Sequence, residues 1–337
     1  MKKIDAFNHI WPKPFFDALI GHIGTMTDIT MRSGAVPMMT DLDRRFEVMD
    51  MFGPDYCQIL SLASPPYEKY ADPEWSLKLA TIASDSMADL CRQYPERFPG
   101  FIGTAVMSNP NLVKDAQRNI EELGALGMQI FTNVSGKPLD LSEFDPFFEY
   151  MASVNKPVWM HPSRGASFPD YLTEEKSEYE IWWTFGWPYE TSAAMARLVF
   201  SGHFDRFPNL KIITHHAGGM IPFFEGRVGP GWDQMGARTT DKDLAAVRKA
   251  LKRPHLEYFK DFYADTASFG SRKAIEHAIE FFGEDNVVFA SDAPFDPEGG
   301  PMYIRDTINL LDGMDISQNT RQKIYQDNIV RMTGLKL

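Results

Sequence analysis

Four apolar segments of this chain each end in an ionisable side chain, and this repeated pattern most restricts the folds open to it. The segment 287–292, for example, is apolar or small until its final aspartate, as expected of a buried strand that delivers a polar group where it leaves the core. Imidazoles and a carboxylate are suitable ligands for one metal ion, or can form a general acid/base cluster. The strand-end residues are His9, His161, the neighbours His215 and His216, and Asp292.

Eight short segments of strand character recur along the chain, and most are separated by segments of helical periodicity. This alternation predicts a parallel sheet covered by helices, and eight units close most simply as an α/β fold of the (β/α)8 barrel type. The strand ends of such a barrel share one face, so the ionisable groups would converge there, with Asp265 at the end of the seventh strand. A doubly wound open sheet is the alternative, but no GxGxxG follows the first strand. The predicted strands are 4–9, 56–62, 100–106, 127–131, 157–161, 210–215, 262–265 and 286–292, and examples of the predicted helices are 112–123, 144–154, 191–200 and 271–282.

The 337 residues are interpreted as one domain, 1–337, with two long excursions from the alternation, at about 11–44 and 162–190. Both excursions follow predicted strands and are expected to lie over the active face. The second is rich in aromatic residues, including Trp187, and loops of this length usually act as lids or binding loops. Its aromatic side chains serve either to stack a substrate or to pack a subunit interface.

Charge and cysteine usage exclude several classes of partner. The formal net charge of −12 would repel a phosphate backbone, so nucleic acid is not expected as a partner. Cys57 and Cys91 show neither disulfide nor metal-site spacing, which favours a reducing, cytoplasmic location. The chain starts without a signal-peptide pattern and has no apolar window of the length of a membrane span, so a soluble protein without membrane contact is predicted.

Taken together, the strand-end motifs resemble those of the amidohydrolase superfamily. The similarity extends over essentially the whole chain and is closest to the amidohydrolase-2 branch, which includes aminocarboxymuconate-semialdehyde, γ-resorcylate and 5-carboxyvanillate decarboxylases. The motifs are IDAFNH at 4–9, WMHP at 159–162, HAGGMIPF at 216–223 followed by GR at 226–227, and SDAPF at 291–295.

This resemblance implies a role for each matching residue. His9 and His161 would bind a divalent metal, and Asp292 would be a further ligand that can also move a proton. His216 matches the catalytic histidine of the family, and Arg227 falls where its decarboxylases hold a substrate carboxylate, sometimes in the neighbouring subunit. Zinc is the expected metal and manganese the alternative, since both accept imidazole and carboxylate ligands.

Three further residues are predicted to bind substrate. Arg45 matches another carboxylate-binding position of the family. Arg164 lies close enough to His161 in sequence to bind an anionic substrate, although a salt bridge to nearby glutamates is equally consistent with its position. Trp187 is expected to stack on the substrate.

One residue departs from the family pattern. The first strand of the family usually offers two ligands with one residue between them, but here the first of the pair is Phe7, which cannot bind a metal. Asp5 or His215 could compensate, and His215 could instead support a ligand from behind. A metal-free site, as in related lactonases, is the alternative. Asp265 could contact the substrate or cap the segment that follows it, and the cap is slightly favoured.

The function expected from these features is metal-assisted, non-oxidative decarboxylation of an aromatic or conjugated carboxylic acid. A metal-dependent hydrolase of a C–N, ester, lactone or C–C bond would use the same residues, and a non-catalytic binding protein is the third possibility. At least a homodimer is expected, since related enzymes are dimers or tetramers. The substrate itself and the oligomer number are not defined by the sequence.

Overall fold

The computed structural model describes residues 1–62, 66, 68 and 71–337, and the strands predicted from the sequence form a closed barrel. Seven of the eight predicted segments contain one strand each, and the third is divided between β3 and β4. The strands are β1 (Lys3–Ile10), β2 (Tyr56–Leu62), β3 (Gly100–Phe101), β4 (Gly103–Thr104), β5 (Met128–Phe131), β6 (Asn133–Val134), β7 (Lys137–Pro138), β8 (Val158–His161), β9 (Ile212–Thr214), β10 (Tyr263–Asp265) and β11 (Val287–Val288).

The barrel strands are all parallel, in the orders β1-β2-β3 and β4-β5-β8-β9-β10-β11. The two ends of this sheet meet through backbone hydrogen bonds: Ala6 N donates to Phe289 O at 2.8 Å, and His9 N donates to Ala293 O at 2.7 Å. This closure confirms the predicted (β/α)8 barrel. The short pair β6 and β7 is an antiparallel ribbon outside the barrel.

Helices follow most of the barrel strands and cover the sheet. They are α1 (Lys13–Ile23), α2 (Asp28–Gly34), α3 (Pro37–Thr40), α4 (Leu42–Asp50), α5 (Pro73–Gln93), α6 (Leu112–Gln117), α7 (Asp145–Ser153), α8 (Ile181–Thr184), α9 (Gly186–Phe200), α10 (His203–Arg206), α11 (Leu244–Ala250), α12 (His255–Lys260), α13 (Arg272–Phe282), α14 (Pro301–Asp312), α15 (Gln318–Gln322) and α16 (Asn328–Thr333). No helix among the described residues is long and apolar enough to cross a membrane.

Both excursions contain helices that the sequence analysis did not resolve. The first holds α1, α2 and α3, and the second holds α8 and the first turns of α9. The predicted helix 191–200 therefore begins earlier, at Gly186, and Pro188 is tolerated because it lies in the first turn, where its missing N–H has no partner to lose. Since β1 and β8 both end at the same face of the barrel, these helices lie around the strand ends.

Two apolar layers support the strand ends. The larger cluster packs the helices on the outside of the sheet. The smaller cluster gathers alternate strand residues, with Met332 and Leu335 near the C-terminus, and so fills the barrel interior. Within it, the fully buried Trp159 donates its indole N–H to Ala6 O at 3.1 Å. This interaction joins β8 to β1 below the two histidines that end these strands.

Candidate metal centre at the carboxyl ends of the strands

Three imidazoles from three strands meet at the carboxyl face of the barrel. One ring nitrogen of each of His9, His161 and His215 lies within 4.8 Å of the others, and all three side chains are buried. Asp292 enters from the turn after β11, with Oδ1 3.1 Å from His9 Nε2 and 3.2 Å from His215 Nε2. The ionisable groups that the strand pattern singled out are therefore brought together, and His215 joins them.

Hydrogen bonds fix which nitrogen of each ring is available. Ser61 donates its hydroxyl proton to Asn8 O, so its oxygen can only accept from His9 Nδ1, 3.2 Å away. His161 Nδ1 donates to Pro162 O at 2.7 Å. Both rings therefore carry the proton on Nδ1 and direct the Nε2 lone pair towards the cluster, which is the tautomer that a metal ligand needs.

A second carboxylate, that of Asp265, binds the ring nitrogen of His215 that faces away from Asp292. His215 Nδ1 donates to Asp265 Oδ2, and both groups are fully buried. Burial disfavours the charged imidazole, but Asp265 and Asp292 outweigh it and raise the pKa of His215 to about 10. Asp265 also accepts from the backbone N–H of Ala267, as a cap would, at 3.1 Å. The favoured prediction, that Asp265 caps the following segment, therefore missed its hydrogen bond with His215.

Asp292 is the shared acceptor of the cluster. Burial alone would raise its pKa, but the charge on His215 and the contacts with His215, His216 and His9 lower it well below 3.8. The backbone of Asp292 is left-handed, with φ of 62°. The turn after β11 therefore holds the backbone of Asp292 in a conformation that is uncommon outside glycine and that the surrounding contacts must stabilise.

His216 reaches the same carboxylate from the outer side. Its Nε2 lies 3.3 Å from Asp292 Oδ2, and its side chain is 13% exposed, whereas the side chain of His215 is fully buried. Burial, followed by the positive charge of His215, lowers the pKa of His216. His216 therefore lies between the buried cluster and the space above it, as its predicted catalytic role requires.

Phe7 lies beneath the imidazoles, and Asp5 does not replace it as a ligand. The Phe7 ring is fully buried, with its centroid 4.2 Å from that of His215 and 5.2 Å from that of His9. Asp5 instead accepts hydrogen bonds from Tyr56, at 2.7 Å, and from Ser291. Burial raises the pKa of Asp5 to about 6. Of the two compensating residues considered, only His215 belongs to the cluster.

Aromatic side chains from two helices and a loop lie next to His216 at the outer side of the cluster. Trp187 stacks on His216 with ring centroids 6.3 Å apart, and its indole N–H donates to Arg164 O at 3.0 Å. On the other side, Phe269 lies 5.7 Å from His216 and stacks on Tyr303 at 4.4 Å. Trp187 thus lies beside His216, and its stacking on a substrate stays a prediction, whereas the sequence analysis missed Phe269 and Tyr303. A loop position and the start of a helix carry no strand-end signal that could have identified them.

Arg45 supports the first strand from within the protein. Its side chain is fully buried, and its guanidinium donates to His9 O, to Gln58 Oε1 at 2.7 Å and to Asn8 Oδ1 at 3.2 Å. Gln58 in turn donates to Tyr56, so Arg45 is linked to the Asp5 carboxylate through neutral groups. These hydrogen bonds hold the Arg45 guanidinium against β1 and β2, and its role in binding substrate stays a prediction.

The two other predicted arginines differ in their partners. Arg164 Nη1 forms an ion pair with Glu190 Oε1 at 2.9 Å, so its charge is matched within the second excursion, although by a different glutamate from those considered in the sequence. Arg227 begins a π-helical turn, Arg227–Gly231, and is exposed. Among the described residues it has no ion pair, so its guanidinium is available to an external anion.

The donor set of the cluster fits a divalent metal ion. It offers three imidazole nitrogens and one carboxylate, which suits zinc or manganese once the ion displaces the Nε2 proton of His215. His9 Nε2 is buried without a hydrogen bond because Asp292 Oδ1, although close, is not aligned with it. A buried nitrogen lone pair without a donor costs free energy unless a cation or a proton satisfies it.

Comparisons with known proteins agree with this geometry. The amidohydrolase family model matches residues 4–335. A 2-amino-3-carboxymuconate-6-semialdehyde decarboxylase of Dictyostelium discoideum is 29% identical, covering 99% of this chain and 92% of the relative. A γ-resorcylate decarboxylase of a Polaromonas species is 28% identical, covering 92% and 96%. The structure of a 5-carboxyvanillate decarboxylase from Novosphingobium aromaticivorans, complexed with manganese and 4-hydroxy-3-methoxy-5-nitrobenzoic acid, superposes with a TM-score of 0.81 at 26% identity, covering 99% and 96%. The predicted resemblance is confirmed.

The buried network around Arg45 gives a prediction for stability. Arg45→Met should lower the free energy of unfolding by about 3 kcal/mol, because the carbonyl and amide oxygens that Arg45 satisfies would remain buried without a donor. Arg44→Met removes an exposed arginine from the same helix and should change this energy by less than about 0.5 kcal/mol. Urea denaturation of both variants measures the difference. Equal stabilities would contradict a supporting role for Arg45.

Proposed function

This chain belongs to the amidohydrolase family, and from that premise we propose that it catalyses the metal-assisted, non-oxidative decarboxylation of an aromatic or conjugated carboxylic acid. Relatives matched along nearly its whole length are decarboxylases of such acids. The observation that carries the proposal is a buried cluster of imidazoles and a carboxylate whose outermost imidazole, His216, has the aromatic side chains of Trp187 and Phe269 beside it. Such a site matches a flat, anionic substrate.

The proposed metal ligands are His9, His161, His215 and Asp292. The first, second and fourth follow from the family pattern, and His215 takes the place of the ligand lost at Phe7. When bound, a divalent ion supplies positive charge that polarises the carboxylate and adjacent oxygen of the substrate. Either zinc or manganese fits this set, and a Novosphingobium relative was solved with manganese.

The chain itself must supply a proton. Decarboxylation breaks the bond between the ring carbon and the carboxylate, carbon dioxide leaves, and the electron pair stays on the carbon, which then takes up a proton. Asp292 Oδ2 and His216 Nε2 lie 3.3 Å apart and can share this proton. We assign the transfer to this pair, with His216 linking it to the solvent side, because His216 is the more exposed of the two.

The aromatic residues orient the ring and keep water away. Trp187 and Phe269 lie on either side of His216, so a substrate ring above His216 would contact both. Excluding water removes the hydration that stabilises the charged carboxylate, which favours its departure as neutral carbon dioxide with the electron pair left on the ring carbon. Arg227, whose charge is unmatched among the described residues, is the better of the two predicted anion-binding arginines, since Arg164 is neutralised by Glu190.

We further propose that the protein is at least a dimer. Several large apolar side chains of the second excursion are exposed, and a second subunit would cover them. They are Phe168, Tyr171, Leu172, Tyr179, Phe185 and Tyr189. Two free cysteines support the predicted cytoplasmic location. The hydrolase alternative would use the same residues, but no feature of the site favours it over decarboxylation.

The ligand set predicts how metal binding responds to substitution. The protein should bind one divalent ion per chain, and His161→Ala or His215→Ala should each weaken manganese affinity at least tenfold, because each removes a nitrogen donor. Elemental mass spectrometry and competition with a chelating dye measure stoichiometry and affinity. His277→Ala, at an exposed position of α13, is the control and should bind as the wild type does. Undiminished affinity in His215→Ala would remove His215 from the ligand set.

The reaction predicts both a product and a site of proton uptake. Manganese-loaded protein in D2O should convert a hydroxybenzoate such as γ-resorcylate or 5-carboxyvanillate into carbon dioxide and a product deuterated where the carboxylate left, as seen by NMR. Asp292→Asn should lower kcat at least a hundredfold through loss of the proton-transferring carboxylate. Asp261→Asn removes an exposed carboxylate and should leave kcat unchanged. Turnover of an ester or lactone, with no carbon dioxide released from these acids, would indicate hydrolysis instead.

A further inference from the structure

Arg32 lies one aromatic ring away from the metal centre. It belongs to α2 in the first excursion, and its guanidinium carbon is 6.0 Å from the centroid of the Phe295 ring. Its Nη2 donates to Phe295 O at 2.7 Å, which fixes the guanidinium above this turn. The Phe295 ring in turn lies 5.7 Å from that of His9. The chain thus holds a cation over the turn that carries Asp292.

The charge of Arg32 is unmatched. No carboxylate oxygen lies within 4.0 Å of its guanidinium among the residues that the structure describes, and its hydrogen bonds there go to backbone carbonyls of Phe295 and Asp296. By contrast, Arg305 is ion-paired with Glu298, and Arg164 with Glu190. Arg32 is also exposed, so its remaining N–H groups can reach an incoming ligand.

Tyr303 connects this cation with the aromatic side chains beside His216. Its ring stacks on Phe269, which contacts His216. Burial, and then the carboxylates of Asp292 and Asp296, raise the pKa of Tyr303 to about 12, while Arg32 acts in the opposite direction. Asp296 also joins the two residues directly, because its backbone oxygen lies 3.5 Å from Arg32 Nη2 and its carboxylate accepts from the backbone N–H of Tyr303 at 3.5 Å.

We infer that Arg32 is a specificity-determining residue that binds an anionic group on the edge of the substrate remote from the reacting carboxylate. The inference rests on the proposed function. A guanidinium presents two parallel N–H donors that match a carboxylate, and the charge attracts it before contact. The preferred substrates are therefore aromatic acids with a second carboxylate or an equivalent anionic substituent.

Binding of simple benzene carboxylates tests this assignment without requiring turnover. The probes are benzoate, isophthalate and terephthalate, titrated into the manganese-loaded full-length protein by calorimetry. The wild type should bind one of the dicarboxylates at least tenfold more tightly than benzoate. Arg32→Gln should abolish this preference while changing the affinity for benzoate less than twofold, and Arg32→Lys should retain part of it because the charge remains. Added salt should reduce the preference.

Lys13→Gln removes an exposed positive charge from the same excursion and should keep the preference of the wild type. A wild type that does not distinguish the dicarboxylates from benzoate would overturn the inference, as would an Arg32→Gln variant that keeps the preference. Equal losses for all three probes would also overturn it, since they would indicate a general change in the site. These results leave decarboxylation itself intact, whereas failure of the wild type to bind any of the three probes would count against both proposals.

Discussion

The buried carboxylate of Asp292 is the interaction on which the site depends. Removing a carboxylate from water costs several kcal/mol unless partners compensate, and here His215 Nε2 and His216 Nε2 lie 3.2 and 3.3 Å from its oxygens, with His9 Nε2 close by at 3.1 Å. His9 belongs to β1 whereas His215 and His216 follow β9, so these groups meet around the carboxylate only when the barrel is closed. The backbone of Asp292 also takes part in closing the barrel, because Asp292 N donates to Phe7 O at 3.1 Å and thereby joins the turn after β11 to β1.

Phe7 changes what the remaining residues must do. A phenyl ring where the family has a ligand adds apolar surface beneath the imidazoles, and its closest ring contact in the cluster is His215. Such a ring provides no hydrogen bond, so the polar edges of the imidazoles must point away from it, towards Asp292. Asp265 completes this arrangement by holding His215 Nδ1. The absence of a ligand at Phe7 is therefore consistent with the position of His215, whose ring lies within the cluster.

The sequence predicted the barrel because strand and helix periodicities are local properties of the chain. It also identified His9, His161, His216 and Asp292 as candidate site residues, since each lies at or just after the end of an apolar strand. The relation between His215 and His216 was harder to predict. Strand alternation would point them in opposite directions, yet both reach Asp292, because β9 ends at Thr214 and His216 adopts a left-handed conformation with φ of 58°.

Arg45 and the aromatic side chains around the cluster could not be predicted for a different reason. Whether an arginine is buried depends on hydrogen-bond acceptors distant in sequence, and Asn8 supplies one of them from another element. Phe269, Phe295 and Tyr303 lie outside the strands, where periodicity does not report direction. Their convergence is a result of tertiary structure alone.

Charge balance connects the buried cluster with the choice of substrate. Asp265 and Asp292 bring two negative charges into a buried site, which a bound divalent ion would match, so that an entering carboxylate would meet no net repulsion at the ligands. This charge balance applies only to the residues of the cluster. The chain as a whole has a net charge of −12, and a second anionic group on the substrate would therefore need its own cation. Arg32 is held above Phe295 without a carboxylate partner among the described residues, which places an unmatched positive charge at the edge of the site. Reactivity would then depend on the strand ends and selectivity on the excursion that follows the first strand.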